Sequence, residues 1–319
     1  DKNRAAWLSQ GDVYVQTGNQ VTQLTRTGAA GRLLGFIENH SVALLQDKKI
    51  VSLRLADGFL STMAEIVLAD EPKDVSADDY LSQQQLRLFD ILKKRAASKK
   101  EQAEQREQLR ALAQTSAKPF YFGAGNTLET VSLSPNGRYL LVGLSPEKRD
   151  GKADKMPHYV SNDGYVNVED VRSKVGTDKP TEESVHVLDL HTREKTVLLV
   201  DNLPGVQEDP LFSLKKAAAK AKGEKLEKEK KIRAVYIQHW PTGGVKWSHD
   251  GSQVAVHLRS YDNKDRWLAS IDFVKSQWRV LHHLHDNAWV NDSEFNEFGW
   301  LNNGEKFWYT SEESGYSHL

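Results

Sequence analysis

The chain has 319 residues, 39% of them hydrophobic and 27% charged, which permits one large or two ordinary domains with a sizeable core. A net charge of −1 argues against nucleic-acid binding through bulk electrostatics, and no apolar run is long enough to span a membrane. Zero cysteine excludes disulfides, thiolate metal sites and a cysteine nucleophile; it leaves the compartment unknown, with a periplasmic or extracytoplasmic one preferred.

The chain opens at Asp1 with no signal-peptide pattern, as expected of a processed or trimmed product. Over residues 5–25, Val13 and Val15 alternate, Thr17-Gly18-Asn19 turns, and Val21 and Leu24 follow, which predicts a hairpin. Residues 33–68 predict four short strands parted by Asn39-His40, Asp47-Lys48 and Asp57-Gly58. From Ser76 to Gln114 there is no Gly or Pro, and Leu81, Leu88 and Leu92 share one helical face. Ser76 is the N-cap candidate, with Asp79 in the first turn. This stretch, 76–114, is predicted as a long helical arm whose polar middle stands in solvent or meets a partner.

Strands return at Phe120. The segment 128–144 alternates about Ser134-Pro135-Asn136-Gly137. A polar excursion covers 147–183, and 184–200 predicts two strands about His191-Thr192. Residues 201–233 form a Lys-rich insertion, predicted as a frayed helix or loop broken at Gly223. Its Lys-rich core, Leu214 to Lys231, carries no interleaved aromatic residue, so it does not read as a nucleic-acid patch. Next comes Val245 to Leu258, a hairpin about His249-Asp250-Gly251, then two strands turning near Lys275-Ser276. Phe298 to Glu312 repeats the hairpin about Asn302-Asn303-Gly304.

Three of these hairpins align as VSLSPNGRYLLV, VKWSHDGSQVAV and FGWLNNGEKFWY, with glycines at 137, 251 and 304. The first two are followed by a second hairpin, so one repeating unit has four strands. Four-stranded units in line, without crossover helices, are the pattern of a β-propeller, in which each small antiparallel sheet buries its faces on its neighbours. A β-sandwich is the competing arrangement. The expected fold is therefore mainly β, a propeller of four-stranded antiparallel blades over 1–319, incomplete here, with a long helical insertion. About three units and half of another are present, and a chain halting in mid-unit at Leu319 suggests a fragment.

Together these repeats, the arm and the terminal run Ser311-Glu312-Glu313-Ser314-Gly315-Tyr316-Ser317-His318-Leu319 resemble the N-terminal β-propeller region of the dipeptidyl-peptidase IV branch of the prolyl oligopeptidase serine peptidase family. The terminal run is similar to that family's S-E-x-x-G-[YF]-x-H-[LI] signature. The resemblance implies a propeller that gates and shapes a peptide-substrate cavity. It also implies hydrolysis by a Ser-Asp-His triad in a C-terminal α/β-hydrolase domain, and a homodimer through the arm or a propeller edge. No G-x-S-x-G elbow occurs in this chain, so no catalytic residue is assigned. The family's Glu-Glu amine-binding motif ahead of the S-P-N-G hairpin is missing too; Glu129 stands there alone. The nearest adjacent pair, Glu182-Glu183, leads into a strand and is a substrate-cavity candidate or a solvated loop. By resemblance the loop with Trp289, Asn291 and Asp292 can face the cavity; Trp289 packing between blades is the alternative. A free-standing propeller that binds proteins, with the arm as docking element, is the other reading of the whole.

No cofactor or metal is expected. Gly123-Ala124-Gly125 lacks the following helix of a nucleotide loop. Asp262-Asn263-Lys264-Asp265 lacks the Gly and closing Glu of a calcium loop and reads as a hairpin tip. Alternation puts His283 and His285 on one face, without a metal-binding partner at helical spacing.

Overall fold

Alternating apolar residues between short polar turns leave the chain few options besides antiparallel sheets, and sheets dominate the computed structural model. It describes residues 4–72, 97–98, 101–102, 104–105, 118–147, 151–162, 164–174, 177, 182–227, 231–239, 243–291, 297–301 and 304–319. Two compact units emerge, 1–124 and 125–319. The described residues are mainly β, in several sheets of which none closes on itself.

In the first unit, β1 (Arg4–Ser9), β2 (Asp12–Thr17) and β3 (Gln20–Gln23) form a three-stranded sheet, so the expected hairpin gains a strand on its outer side. The turn before β2 admits only glycine at Gly11: φ is +78°, and a Cβ there would lie 2.1 Å from the Gly28 carbonyl oxygen. Asp12 then collects the Thr27 and Gly28 N–H groups and the Thr25 hydroxyl on one carboxylate oxygen. The four strands expected over 33–68 are β4 (Arg32–Ile37), β5 (Ser41–Gln46), β6 (Lys49–Arg54) and β7 (Leu60–Val67). A short parallel strand, β8 (Phe120–Tyr121), extends them. The unit's core is Val13, Val15, Ala30, Val42, Leu44 and Leu53. Of the expected arm, 76–114, the described residues 97–98, 101–102 and 104–105 are helical and exposed; the rest lies outside the described residues.

The second unit holds two four-stranded meanders. One joins β9 (Asn126–Leu133), β10 (Tyr139–Pro146), β13 (Ser184–Asp189) and β14 (Lys195–Leu198). The other joins β16 (Val245–Trp247), β17 (Val254–Ser260), β18 (Asp265–Asp272) and β19 (Gln277–His285). A fifth strand, β15 (Val235–Ile237), pairs β17 beyond β16. The hairpin of β20 (Phe298–Leu301) and β21 (Lys306–Tyr309) follows. The excursion at 147–183, read from sequence as polar connection, carries a hairpin of its own, β11 (Ala153–His158) with β12 (Asn167–Ser173). Its side chains are mostly exposed, so no buried face imposed the apolar alternation by which strands are read. The insertion's helix is α1 (Phe212–Ala221), closed by Gly223 at φ +76°.

Both meanders use the same two turns. In the first, Ser134 donates its hydroxyl to Asn136 Oδ1 (2.6 Å) and accepts Tyr139 N–H (2.8 Å). Ser248 does the same with Asp250 Oδ1 (2.6 Å) and Gln253 N–H (2.9 Å). The glycine at the fourth position, Gly137 or Gly251, has φ +71° in each case. Further along, Asp189 Oδ1 accepts the N–H of His191 and Thr192, and Asp272 Oδ1 that of Val274 and Lys275. Four residues after each aspartate a positive φ follows, at Arg193 and Ser276.

Sheet-to-sheet packing repeats as well. Trp247 Nε1 donates to Ser132 Oγ (2.9 Å) in the preceding meander. Trp300 Nε1 donates to the carbonyl of Lys246 (3.0 Å), the residue that aligns with Ser132. A Cβ on Gly251 would press within 2.9 Å of the Asn136 backbone nitrogen, and one on Gly304 within 2.9 Å of Ser248 Cβ. Turn therefore stacks on turn. The main core fills the space between the two meanders: Leu141, Val187 and Leu198 meet Val256, Trp267 and Trp278.

Candidate functional site

β17 is buried along its whole length, so both of its faces are covered. Val254, Val256 and Leu258 enter the main core. Ala255 joins Leu268 and Phe298 under β20–β21, and on this second face stand His257, Arg259 and Arg266, all buried. Arg259 and Arg266 oppose each other across β17–β18. Burial, then the Arg259 cation, pulls the Arg266 guanidinium down to about 10, so it stays charged at neutral pH, and burial lowers Arg259 as well. His257 is held neutral: burial and both arginines bring it down to about 3, and its ring lies edge-on to Phe298.

This cationic face anchors the loop that enters β20. Arg259 Nη2 donates to the Val290 carbonyl (2.7 Å), Val290 N–H donates to the Asn263 carbonyl (2.7 Å), and Lys264 Nζ donates to the Ala288 carbonyl (2.9 Å). Asp286 Oδ1 takes the N–H groups of Ala288 and Trp289. Asn291 Nδ2 donates to Glu312 Oε2 (2.9 Å), and His282 Nε2 meets Glu313 Oε2 at 3.2 Å. The loop thus buries Val290 (2% exposed) and presents Trp289 (68% exposed) to solvent. Trp289 is not packed between sheets. A tethered, exposed indole can cover an apolar or ring-bearing group of a ligand with little ordering cost. Asp292, the third candidate of this loop, lies outside the described residues.

The Glu182-Glu183 pair divides. Glu182 is exposed on a cleft beside the insertion. Glu183 is buried and fully engaged: Oε1 accepts the Thr130 hydroxyl (2.6 Å) and Oε2 the Ile237 N–H (2.8 Å). Its Oε1 occupies the space over Gly143, where a Cβ would come within 1.9 Å. Glu183 joins the two meanders and is not available to a substrate amine. Since Thr130 gives its one proton to Glu183, His239 Nε2, 2.9 Å from the same hydroxyl, is the donor there. Thr130 is accordingly no activated nucleophile.

Burial raises the Glu183 carboxyl against the pull of Thr130 and Ile237. A carboxyl raised on folding weakens the fold as pH climbs through its ordinary value of 4.5. Glu183→Gln can keep the geometry, its oxygen on Ile237 N–H and its amide on Thr130. The variant is expected to match or exceed the parent in thermal midpoint at pH 8, the difference vanishing below pH ~4. A midpoint lower at pH 8 than at pH 4, relative to the parent, contradicts this account.

The histidines expected on one face are there, and the facing strand supplies what helical spacing could not. Asp265 Oδ1 meets His283 Nε2 at 2.8 Å and His285 Nδ1 at 2.9 Å, and Arg233 Nη1 donates to Oδ2 (2.6 Å). With a guanidinium already on the carboxylate, the cluster is an anchor for the end of the insertion. Among the described residues, no group of three or more His, Asp or Glu is placed to hold a metal. Asp262-Asn263 is a hairpin tip and repeats the serine turn a third time: Ser260 Oγ bonds Asp262 Oδ1 (2.7 Å), accepts Asp265 N–H (3.0 Å), and Asn263 takes φ +61°. The terminal run is a tight loop closed by paired Ser311–His318 backbone bonds. No helix of the described residues is long and apolar enough to cross a membrane.

The arginine face went unassigned in the sequence because charged residues in an alternating strand read as its solvent side. Two arginines set symmetrically about one hairpin tip, in otherwise apolar strands, were the available signal.

No protein-family profile matches the chain, and no curated protein matches its sequence. Among solved structures it is similar to Porphyromonas gingivalis dipeptidyl peptidase 4, at 13% identity and TM-score 0.49, over 96% of this chain and 33% of that one. It is also similar to a putative dipeptidyl aminopeptidase IV from Bacteroides ovatus, at 13% identity and TM-score 0.49, over 100% of this chain and 33% of that one. The chain spans about a third of the length of these structures.

Proposed function

We propose that this chain is the N-terminal β-propeller portion of a serine exopeptidase or oligopeptidase, which shapes the peptide-substrate cavity while a Ser-Asp-His triad in a C-terminal domain hydrolyses the bond. The observation that carries the reading is the repeated packing step. Trp247 to the Ser132 hydroxyl and Trp300 to the Lys246 carbonyl join the same pair of aligned positions twice, and Gly251 on Asn136 is followed by Gly304 on Ser248. Sheets added by one recurring step suit a ring of blades, and a sandwich has no need of it. The Ser311 to Leu319 run, with its family resemblance, supports a peptidase parent. Within the cavity, Trp289 is the contact residue, and Asn291, held by Glu312, and Arg259 position it.

The test is made on the full-length protein. It should cleave a proline- or alanine-containing chromogenic dipeptide, and its nucleophile Ser→Ala variant should not. Trp289→Ala should raise KM about tenfold, the effect of losing roughly 1–2 kcal/mol of aromatic contact, with kcat little changed. No cleavage by a protein that folds, or a reading frame without a G-x-S-x-G elbow, sinks the proposal and leaves the protein-binding propeller in its place.

A further inference from the structure

The insertion between β14 and β15 frames a cleft of about 860 Å³, within the range of ligand-sized cavities. Its frame is fixed to the sheet: Trp267 Nε1 donates to the Pro204 carbonyl (2.9 Å), Asn202 Nδ2 to the Trp278 carbonyl (2.8 Å), and Arg233 to Asp262 and Asp265. Four large apolar side chains line the cleft yet remain in water, Leu226, Leu211, Tyr261 and Ile232, at 38, 41, 42 and 45% exposure. Apolar groups gathered in one concavity and left wet are characteristic of a binding surface.

The charges choose the occupant. Asp209 is engaged by Lys215 (2.6 Å) and Asp262 by Arg233 (2.6 Å). The positive end of α1 is already met by Asp209, whose Oδ1 accepts Leu211 N–H (2.9 Å). Glu227, which also lines it, is engaged by Lys225 (3.3 Å). Glu182, Glu208 and Lys231 line the same cleft with no side-chain partner among the described residues, so the unengaged groups carry an excess of one negative charge. We propose that this cleft docks an extended peptide segment bearing apolar side chains and one basic side chain, the latter taken by Glu182 and Glu208. The proposal does not rest on the peptidase reading, since the cleft and the Trp289 loop share no residue.

The experiment is calorimetric titration of the 319-residue chain with the capped peptide acetyl-Leu-Phe-Lys-Leu-amide, beside acetyl-Leu-Phe-Glu-Leu-amide and acetyl-lysine-amide. The lysine peptide is expected to bind at least about tenfold more tightly than the glutamate peptide, because exchanging the charge turns attraction into repulsion. The double variant Glu182→Gln/Glu208→Gln should weaken it about fivefold, as two exposed pairs of ordinary strength are lost. Ile232→Ser, at an exposed position that leaves the fold intact, should weaken it by about as much. Equal binding of the two peptides, no binding of either at millimolar concentration, binding untouched by these variants, or acetyl-lysine-amide binding as tightly as the peptide would each overturn the proposal.

Discussion

Trp267→Ala is expected to destabilise the unit 125–319 by about 3–5 kcal/mol, the range for removing a buried tryptophan, and to lower its thermal midpoint by roughly 10 °C. The indole is wholly buried, stacks on the His283 ring at 5.5 Å, and gives its N–H to the Pro204 carbonyl. Alanine would leave a cavity between the meanders, which stiff neighbouring strands cannot collapse, and an unanswered carbonyl. Trp267→Phe should recover most of the packing and still lose about 1 kcal/mol with the hydrogen bond. A local readout separates this from general weakening. The insertion's first turn hangs on Pro204, so the Val206 amide, bonded to Leu203, should exchange with solvent faster in both variants. A loss below about 1 kcal/mol for Trp267→Ala would mean that the meanders do not pack as described.

Asp265→Asn is expected to cost about 3 kcal/mol at pH 7, because an amide cannot accept from Arg233, His283 and His285 together and leaves a guanidinium badly paired. The effect depends on pH in a defined direction. Burial alone would raise the Asp265 carboxyl, but His283, Arg233 and His285 outweigh it and hold it at about 2. A carboxylate depressed on folding stabilises above its ordinary value of 3.8, and that contribution fades as pH falls towards 2. The penalty of Asp265→Asn should therefore be full at pH 7 and shrink by about 2 kcal/mol between pH ~5 and pH ~2, which urea titrations at several pH values would record. A penalty independent of pH would rule out the ionised, three-donor carboxylate. Trp267 and Asp265 share His283, so the double variant should fall short of the sum of the two.

The fates of the candidate residues show how far local reasoning reaches. Trp289 and Asn291 were selected from one loop, and both lie at its presented end. Asp286, close in sequence, takes the Trp289 N–H, but the contacts that hold the loop to the sheets come from Arg259, Lys264 and Glu312, none of them near in sequence. Glu183 was selected for its neighbour Glu182, but just ahead of β13 the chain turns the two side chains to opposite sides, one exposed and one buried. One face was solvent. The other was the joint between two sheets, where Thr130 and Ile237 waited as donors.

What the sequence determined by itself is local and periodic. The strands of the two meanders, the Asp47-Lys48, Ser134 to Gly137 and Ser248 to Gly251 turns, and the helix break at Gly223 follow from alternation and from the few residues that tolerate positive φ, whereas β11, β12 and β15 do not. These preferences act within a handful of residues and need no knowledge of the rest of the chain. Only the tertiary structure decided which face of each strand is dry. Alternation marks His257, Arg259 and Arg266 as a solvent side, but β20–β21 covers that face and turns it into a buried cationic support for the Trp289 loop. It also decided that Asp265, His283, His285 and Arg233 converge, because strand register pairs residues far apart in the chain and no local pattern encodes that register.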